Sequence, residues 1–282
     1  MRDALRAVGV ALALAAAPAR PAPAQTPDQP ILIFSISAGL TTGGDLWTIP
    51  RQLAFASNNG VQNLFDSVSL GRRLRPGLLA ALSATYFRSP HLGYTLEAGF
   101  FGLETQSSCD ALAPFVPVQT PSPNQQACDF LHGQDLRGDA VGLLAGLTYR
   151  FATGGTQPFV RAEAGGAILG SSFVEMTGPA LQPDGSETIV YFLSDQNHKE
   201  LTWMVSLGAG LMLPLAPGYQ LRMEARDIIL PLPRPLGPAT DTGAVAAGSE
   251  LPQPPIGLKV THVPSFSVGL DVVLERRRGH RY

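Results

Sequence analysis

The connections between the apolar segments of this chain alternate in length, and this alternation constrains the fold more than any other feature. Between residues 31 and 276, eight segments alternate apolar residues with small or polar ones. Three connections are tight turns, at Ser89-Pro90-His91, 153–157 and Ala216-Pro217-Gly218. Four are long, near residues 42–70, 107–137, 175–198 and 232–257. A sheet that crosses a bilayer up and down, with short turns on one side and large loops on the other, has this pattern.

The sequence therefore predicts an all-β chain, a transmembrane antiparallel up-and-down β-barrel of eight strands. The strands are expected near residues 31–41, 71–88, 92–106, 138–152, 157–174, 199–214, 218–231 and 258–275. A β-bulge at Gly165-Gly166 is expected to shift the register of the fifth strand.

The N-terminal segment is typical of a secretory signal peptide. Arg2 and Arg6 precede an apolar run, and Ala22-Pro23-Ala24 follows it. A basic start, a short apolar run and small residues before the cleavage site are what export requires. We expect a signal peptide at 1–24 and the barrel at 25–282. No later apolar run reaches the roughly 18 residues of a membrane-spanning helix.

Composition argues against several functional classes. The net charge is −2 and only 15% of residues are charged, which gives no support to nucleic-acid binding. The five histidines lack metal-ligand spacing, and the glycines follow the alternation of the strands instead of forming a phosphate loop. Neither a cofactor nor a metal is predicted.

Alternate residues of a strand face opposite sides, so each predicted strand has a lipid face and a lumen face. The seventh strand is the most polarised, because Tyr219, Leu221, Met223 and Ala225 alternate with Gln220, Arg222, Glu224 and Arg226. Eight charged residues fall on lumen faces: Glu97, Arg150, Arg161, Glu163, Arg222, Glu224, Arg226 and Asp271.

The interior of an eight-stranded barrel is just wide enough for side chains, so charges inside it must pair with one another or with trapped water. We interpret the eight lumen charges as a structural plug of ion pairs. The alternative is a narrow gated path for ions or small solutes.

Aromatic residues indicate where the barrel meets the membrane surface. Five outward rings lie within a few residues of a short turn: Tyr86, Tyr94, Tyr149, Phe151 and Tyr219. Such belts mark the boundary between lipid and water. They predict the periplasmic rim at the side of the short turns.

Both cysteines, Cys109 and Cys128, lie in the second long loop. In an oxidising compartment the two thiols are expected to pair and to close that loop. Two free thiols are the alternative, whereas their number and spacing exclude a CxxC redox site and a zinc site.

The last strand carries a motif, Ser267-Val268-Gly269-Leu270-Asp271-Val272-Val273-Leu274, with a polar residue, a glycine and two apolar residues at Ser267, Gly269, Val272 and Leu274. It is similar to the C-terminal assembly signal of bacterial outer-membrane barrels, although here seven residues precede the terminal aromatic Tyr282. Over about 250 residues the chain resembles the eight-stranded OmpX and OmpA transmembrane-domain type.

The resemblance implies a porin-like or OmpA-like monomer in the bacterial outer membrane. Its expected partners are membrane lipid, lipopolysaccharide and the barrel assembly machinery.

Long loops are either functional or disordered. We expect a structural role or a surface-interaction role, such as adhesion, through an unknown surface ligand of the extracellular loops. Basic residues near strand ends are candidates for lipid A phosphates: Arg72, Arg73, Arg75, Lys199 and Lys259. The third hypothesis, a lipid A-modifying enzyme, needs a nucleophile beside a base. The candidate pairs are His262 with Ser265 and His198 with Ser194, but neither lies in a known motif, so no enzyme is predicted.

Overall fold

The computed structural model describes residues 31–58, 63–113, 122–181, 185–195, 201–238 and 253–275. The predicted signal peptide, His198, Lys199 and the C-terminal tail lie outside these ranges. The described elements, in chain order, are β1 (Ile31–Thr41), β2 (Asp45–Asn58), β3 (Asn63–Leu74), β4 (Gly77–Phe87), β5 (Leu92–Gly102), β6 (Thr105–Ala113), α1 (Pro123–Leu131), β7 (Asp135–Leu136), β8 (Asp139–Arg150), β9 (Gln157–Leu169), β10 (Met176–Leu181), β11 (Glu187–Leu193), β12 (Leu201–Ala216), β13 (Tyr219–Pro235) and β14 (Ile256–Glu275).

Eight of these strands close into one antiparallel barrel, in the order β1-β14-β13-β12-β9-β8-β5-β4. The closing strand β1 pairs with β14 on one side and β4 on the other, so that Thr41 lies opposite both Ser265 and Gly77. The predicted eight-stranded up-and-down barrel is confirmed. The bulge predicted at Gly165-Gly166 is wrong, because β9 keeps an unbroken register with both β8 and β12.

The barrel exposes its apolar face and buries its polar one. Ile36, Leu82 and Leu143 are each at least 60% exposed on the outer surface, whereas Ser35 and Thr148 are buried inside. This arrangement is the reverse of a water-soluble barrel, and a closed sheet leaves no unpaired strand edge in hydrocarbon. The outer surface is therefore the lipid-facing belt that was predicted from the alternation of residues.

The long connections differ from the predicted loops, because three of them contain regular structure. Strands β2, β3, β6 and β7 form a four-stranded sheet, and β10 pairs with β11 as a hairpin. Together with α1 they form a domain at one end of the barrel, which we call the cap. At the other end lie the three short turns, and we call it the turn end. Within the described residues, no helix has the length and apolarity needed to cross a membrane.

The predicted strand 71–88 is two strands, because it is interrupted at Arg75 and Pro76. Pro76 lacks the N–H that a continuing ladder needs. The predicted strand 92–106 is likewise divided after Gly102. The Thr41 hydroxyl forms hydrogen bonds at both interruptions: it accepts from Gly77 N at 3.0 Å and donates to Gly102 O at 2.8 Å. The chain leaves the barrel for the cap at this point.

The apolar core runs without interruption from the cap into the upper half of the barrel. Its members inside the barrel, the upper apolar layer, include Leu79, Phe101, Leu144, Met204 and Ile228. A second cluster, the lower apolar layer, closes the turn end with Ile31, Ile33, Phe87 and Val273. Most of the lumen charges lie between these two apolar layers.

Candidate functional site

Seven of the eight predicted lumen residues form one connected set of ion pairs, which we call the ion layer. Glu97 is its centre, with Arg161 Nη1 at 2.9 Å from one carboxylate oxygen and Arg226 Nη1 at 2.5 Å from the other. Longer pairs extend the layer from Arg161 to Glu163 at 3.7 Å and Glu224 at 3.6 Å, and from Arg222 to Glu224 at 3.9 Å and Asp271 at 3.7 Å.

Arg150, the eighth predicted member, does not belong to the ion layer. Its guanidinium lies 4.1 Å over the ring of Phe87, and its Nε donates to Pro90 O at 2.5 Å. Its Nη1 contacts Gln157 Oε1 at 3.3 Å. Arg150 therefore fastens the turn end of the barrel, because its position in β8 is close to the turns and far from the carboxylates.

The ion layer is unevenly satisfied. Glu97 is fully engaged, whereas both carboxylate oxygens of Glu163 and of Asp271 are buried without a hydrogen-bond partner. Gly208 makes room for the layer, since a Cβ there would lie 2.7 Å from Glu224 Oε1 and 3.1 Å from Arg226 Cβ. The arrangement fills the middle of the lumen with charge, and an apolar layer lies on each side of it.

The five residues of the predicted aromatic belt are Tyr86, Tyr94, Tyr149, Phe151 and Tyr219. All are exposed on the outer surface near the turn end, with exposures of 42–59%. Tyr149 also packs edge-on against Phe151, with ring centroids 5.2 Å apart. The predicted assembly residues Ser267, Gly269, Val272 and Leu274 lie in β14, which pairs with β1 and β13 to close the barrel.

The cap is built around a disulfide and a helix. Cys109 of β6 and Cys128 of α1 are bonded, as the sequence predicted. Ser122 caps the helix by accepting from Gln125 N at 3.2 Å. The buried face of α1 contacts β10 at Gly178, where a Cβ would lie only 2.7 Å from Ala127 O. The long loops therefore hold a packed structure with its own interior.

Arg72 joins the parts of the cap. It is only 3% exposed, and its guanidinium donates to Glu175 O at 2.6 Å, to Ser172 O at 3.2 Å and to Ser107 Oγ at 3.4 Å. Trp47 supports the same segment by donating from Nε1 to Phe173 O at 3.0 Å. Burial lowers the pKa of Arg72 to about 10, against the opposing charge of Glu175.

Two grooves open on the cap surface. The polar groove has a volume of about 410 Å³ and is lined by residues that include Thr48, Arg72, Arg73, Gln106, Ser108 and His132. The apolar groove has a volume of about 450 Å³ and is lined by residues that include Phe130, Leu136, Arg137, Glu175, Pro179 and Ile189. Both volumes lie within the range of small-ligand sites.

The basic residues proposed for lipid A are mostly occupied by protein groups. Arg72 is buried. Arg73 Nε donates to Gln106 Oε1 at 2.8 Å, Arg75 pairs with Asp135, and Lys259 Nζ donates to Leu46 O at 3.3 Å. The structure does not bring these four into one cluster for a lipid phosphate.

The candidate base His262 and the candidate nucleophile Ser265 lie on opposite faces of β14, because alternate residues of a strand face opposite sides. Ser265 faces the lumen and is 6% exposed, whereas His262 is exposed on the outer surface. His262 Nδ1 lies 2.7 Å from Asp227 Oδ2 instead. The other pair is untested, since His198 lies outside the described residues. Among those residues, no group of three or more histidine, cysteine or acidic side chains has the arrangement of a metal site.

No protein-family model matches the sequence, and a search of curated proteins finds no relative. The structure is similar to outer membrane protein OprG from Pseudomonas aeruginosa, with 12% identity, a TM-score of 0.43 and coverage of 88% of this chain and 97% of that one. It is also similar to Neisserial surface protein A, with 10% identity, a TM-score of 0.38 and coverage of 86% of this chain and 96% of that one. For the outer membrane enzyme PagL the identity is 12%, the TM-score is 0.32, and the coverage is 84% of this chain and 98% of that one.

At such identities the likeness concerns the fold alone. The closed eight-stranded sheet and its apolar outer surface are those of a bacterial outer-membrane barrel, and they agree with the predicted localisation.

Proposed function

We propose that the protein acts at the cell surface by binding a partner through its cap, and that its barrel serves as a plugged membrane anchor. The observation that carries this proposal is the continuous apolar core that joins the cap to the barrel. The cap is thereby held rigidly, and a binding surface that is ordered in advance loses less entropy when a partner binds.

The disulfide supports the same role. The link between Cys109 and Cys128 fastens α1 to the sheet of the cap, and such links are stable in an oxidising compartment. Loops that only connect strands need neither a helix nor a buried interior. With the turn end of the barrel on the periplasmic side, both grooves of the cap face the external medium.

A channel is the second candidate, and the layers of the lumen argue against it. A solute would have to pass the upper apolar layer, the ion layer and the lower apolar layer in turn. Moving an ion through such apolar layers is costly. The apolar layers, more than the charges, keep the lumen closed.

A lipid-modifying enzyme is the third candidate. His262 has a carboxylate partner on the outer surface, which is half of a catalytic arrangement. The nearest predicted nucleophile, Ser265, points into the barrel. Covalent acyl transfer needs a nucleophile beside the base, and the pair of His262 and Ser265 does not supply one.

The test uses the full-length protein in lipid nanodiscs and a cap-trimmed variant, in which residues 43–75, 104–137 and 171–200 are replaced by short turns. Both are first checked for the gel shift on heating that marks a folded barrel. Each is then applied to an immobilised panel of extracellular proteins and polysaccharides. We expect saturable binding by the full-length protein and its loss in the trimmed variant.

Planar bilayers provide the opposing measurement. Full-length protein that binds nothing on the panel but gives discrete conductance steps contradicts the proposal and favours the channel. Binding that survives removal of the cap also contradicts it, because the barrel wall would then carry the interaction.

A further inference from the structure

Two barrel strands continue above the strands on either side of them. The pairing of β12 with β13 ends at Ile229, and the pairing of β1 with β14 ends at Ser265. Beyond these points, residues 230–235 of β13 and 256–261 of β14 pair with each other alone among the described strands. We call this two-stranded segment the ribbon.

We infer that the outer face of the ribbon is a docking surface for a second copy of this chain. Two molecules in one membrane would then form a symmetric dimer, in place of the monomer that the family resemblance implies. The inference goes beyond the proposed function, because binding a partner through the cap does not require a dimer.

The two faces of the ribbon have different surroundings. The inner face packs against the cap, since Leu230 and Leu232 belong to the buried core and Lys259 Nζ donates to Leu46 O of β2. The outer face carries three exposed apolar side chains: Ile256, Leu258 and Val260. An exposed apolar patch with polar residues at its edge is typical of an interaction site.

The membrane does not account for this apolar face. Strand β14 has 20 residues, whereas a tilted strand crosses the bilayer in about 9–11. Going upward from Leu274, the outward positions stay apolar until His262, whose Nδ1 lies 2.7 Å from Asp227 Oδ2 on the outer surface. Such a polar pair is expected at the edge of the hydrocarbon. Val260 and Leu258 therefore lie above the lipid, and tilting the barrel cannot bury a run about twice the length of one crossing.

The geometry of a membrane favours a second copy as the occupant. Copies of one chain insert in the same direction, so they meet side by side and at the same height. A two-fold axis parallel to the membrane normal then brings the same face of each molecule together, as in other isologous contacts. Because the ribbon continues the barrel wall, its outer face points sideways. Two ribbons can therefore pack face to face, about 10 Å apart, while both barrels stay upright.

The outer face is also suited to contact with itself. Above Phe266, none of the outward positions of β14 holds a lysine, arginine or carboxylate; they are Pro264, His262, Val260, Leu258 and Ile256. Two copies therefore bring no like charges together, whereas like charges across an interface are costly. A lipid phosphate or an acidic sugar would find no cationic side chain on the upper three of these positions.

Prolines make the ribbon stiff before it docks. Pro231, Pro233 and Pro235 of β13 lie opposite Val260, Leu258 and Ile256. Proline fixes its backbone φ angle, and the inner face of the ribbon is already packed against the cap. Docking of a surface that is ordered in advance loses little conformational entropy. Proline also donates no backbone hydrogen bond, so the β13 edge does not accept an added strand and the contact uses the face.

The outer face of β11 provides a matched control. Ile189 is 58% exposed and Leu258 is 59% exposed. Ile189 lines the apolar groove, next to Arg137 and Glu175 and away from the ribbon. The substitutions Leu258→Glu and Ile189→Glu therefore make the same change on two exposed apolar surfaces of one molecule.

The experiment measures energy transfer between copies of the full-length protein that carry donor and acceptor dyes, mixed in lipid vesicles and diluted with lipid. We expect transfer above the level of random collisions. Leu258→Glu should raise the dissociation constant of the dimer at least about tenfold, because each dimer would bury two unpaired carboxylates. Ile189→Glu should change it less than about twofold, as is usual for a surface substitution.

A photocrosslinker, a benzophenone-bearing phenylalanine at position 258, identifies what the outer face touches. We expect it to link two copies of the chain in vesicles and in cells, and the same group at position 189 to give no such product. Heating shifts on gels show that each variant is folded. If Leu258→Glu does not fold, the crosslinker decides the question, because it keeps an apolar side chain at that position.

Three results overturn the inference. Transfer that equals the level of random collisions would mean a monomer. Equal weakening by Leu258→Glu and Ile189→Glu would mean that the dimer does not form through the ribbon. A crosslink from position 258 to lipid or to a different protein, without a link between two copies, would mean that another occupant covers this face.

Discussion

Replacing Glu97 with glutamine removes the carboxylate at the centre of the ion layer while keeping the shape of the side chain. Glu97 accepts from Arg161 at 2.9 Å and from Arg226 at 2.5 Å, and its side chain is 1% exposed. The substitution leaves two buried guanidiniums without their best partner. Breaking a buried ion pair in this way costs about 3–5 kcal/mol.

The matched control is Glu163→Gln, which makes the same chemical change in the same layer. Neither oxygen of Glu163 accepts a hydrogen bond, and its one ion pair, with Arg161, is 3.7 Å long. With no hydrogen bond to lose, we expect its unfolding free energy to change by less than about 1 kcal/mol.

The assay is urea unfolding of both variants and the parent protein in lipid vesicles. Folded fractions are read from the migration of unheated samples on gels, and the free energy of unfolding follows from linear extrapolation. Equal losses in the two variants would refute the reasoning, because the loss would then depend on charge alone and not on the contacts of Glu97. A loss below about 1 kcal/mol for Glu97→Gln would also refute it.

Three further predictions concern the cap, the lumen and catalysis. Cys128→Ser should lower the stability of the cap by about 3 kcal/mol, so that trypsin removes the cap faster while the barrel band survives. Gly208→Val should destabilise the barrel by about 1–3 kcal/mol, because the new side chain meets Glu224 and Arg226. Urea unfolding measures this loss, and an unchanged free energy of unfolding would mean that the space beside Gly208 is open. Incubation with lipopolysaccharide should release or transfer no acyl chain by mass spectrometry, and a product that His262→Ala abolishes would restore the enzyme hypothesis.

The barrel could be predicted from the sequence because its signal is repeated. Each strand must present an apolar residue to lipid at every second position, and eight strands give eight chances to detect the pattern. The paired positions Ser35 and Ile36 show it in one step, since one is 5% exposed and the other 60%. Such a pattern can be recognised in the sequence without knowledge of the tertiary contacts.

The cap could not be predicted in the same way, because it lacks a lipid face. Strand β6 does alternate, with Thr105, Ser107 and Cys109 buried. Two of these three are small hydroxyl residues, and from their polarity one predicts an exposed surface loop. Ser107 is covered by Arg72, which is distant in sequence and meets it only in the folded cap.

Part of the lumen prediction was wrong for a related reason. Alternation along a strand fixes the side to which a residue points, but it does not give its height in the barrel relative to residues of other strands. Arg150 points inward as predicted, yet it lies beside Phe87 at the turn end. The register between strands is what places Arg150 at a different height in the barrel from Glu97.

The two tryptophans report separately on the outer surface of the barrel and on the cap, since one lies on the lipid face and the other inside the cap. Trp203 is 49% exposed on β12, whereas Trp47 is 6% exposed among cap residues. Trp47→Phe leaves Trp203 as the single emitter, and Trp203→Phe leaves Trp47. In vesicles with brominated acyl chains, we expect strong quenching of Trp203 and none of Trp47. Quenching of Trp47, or full emission from Trp203, would contradict a barrel with this outer surface and a cap outside the membrane.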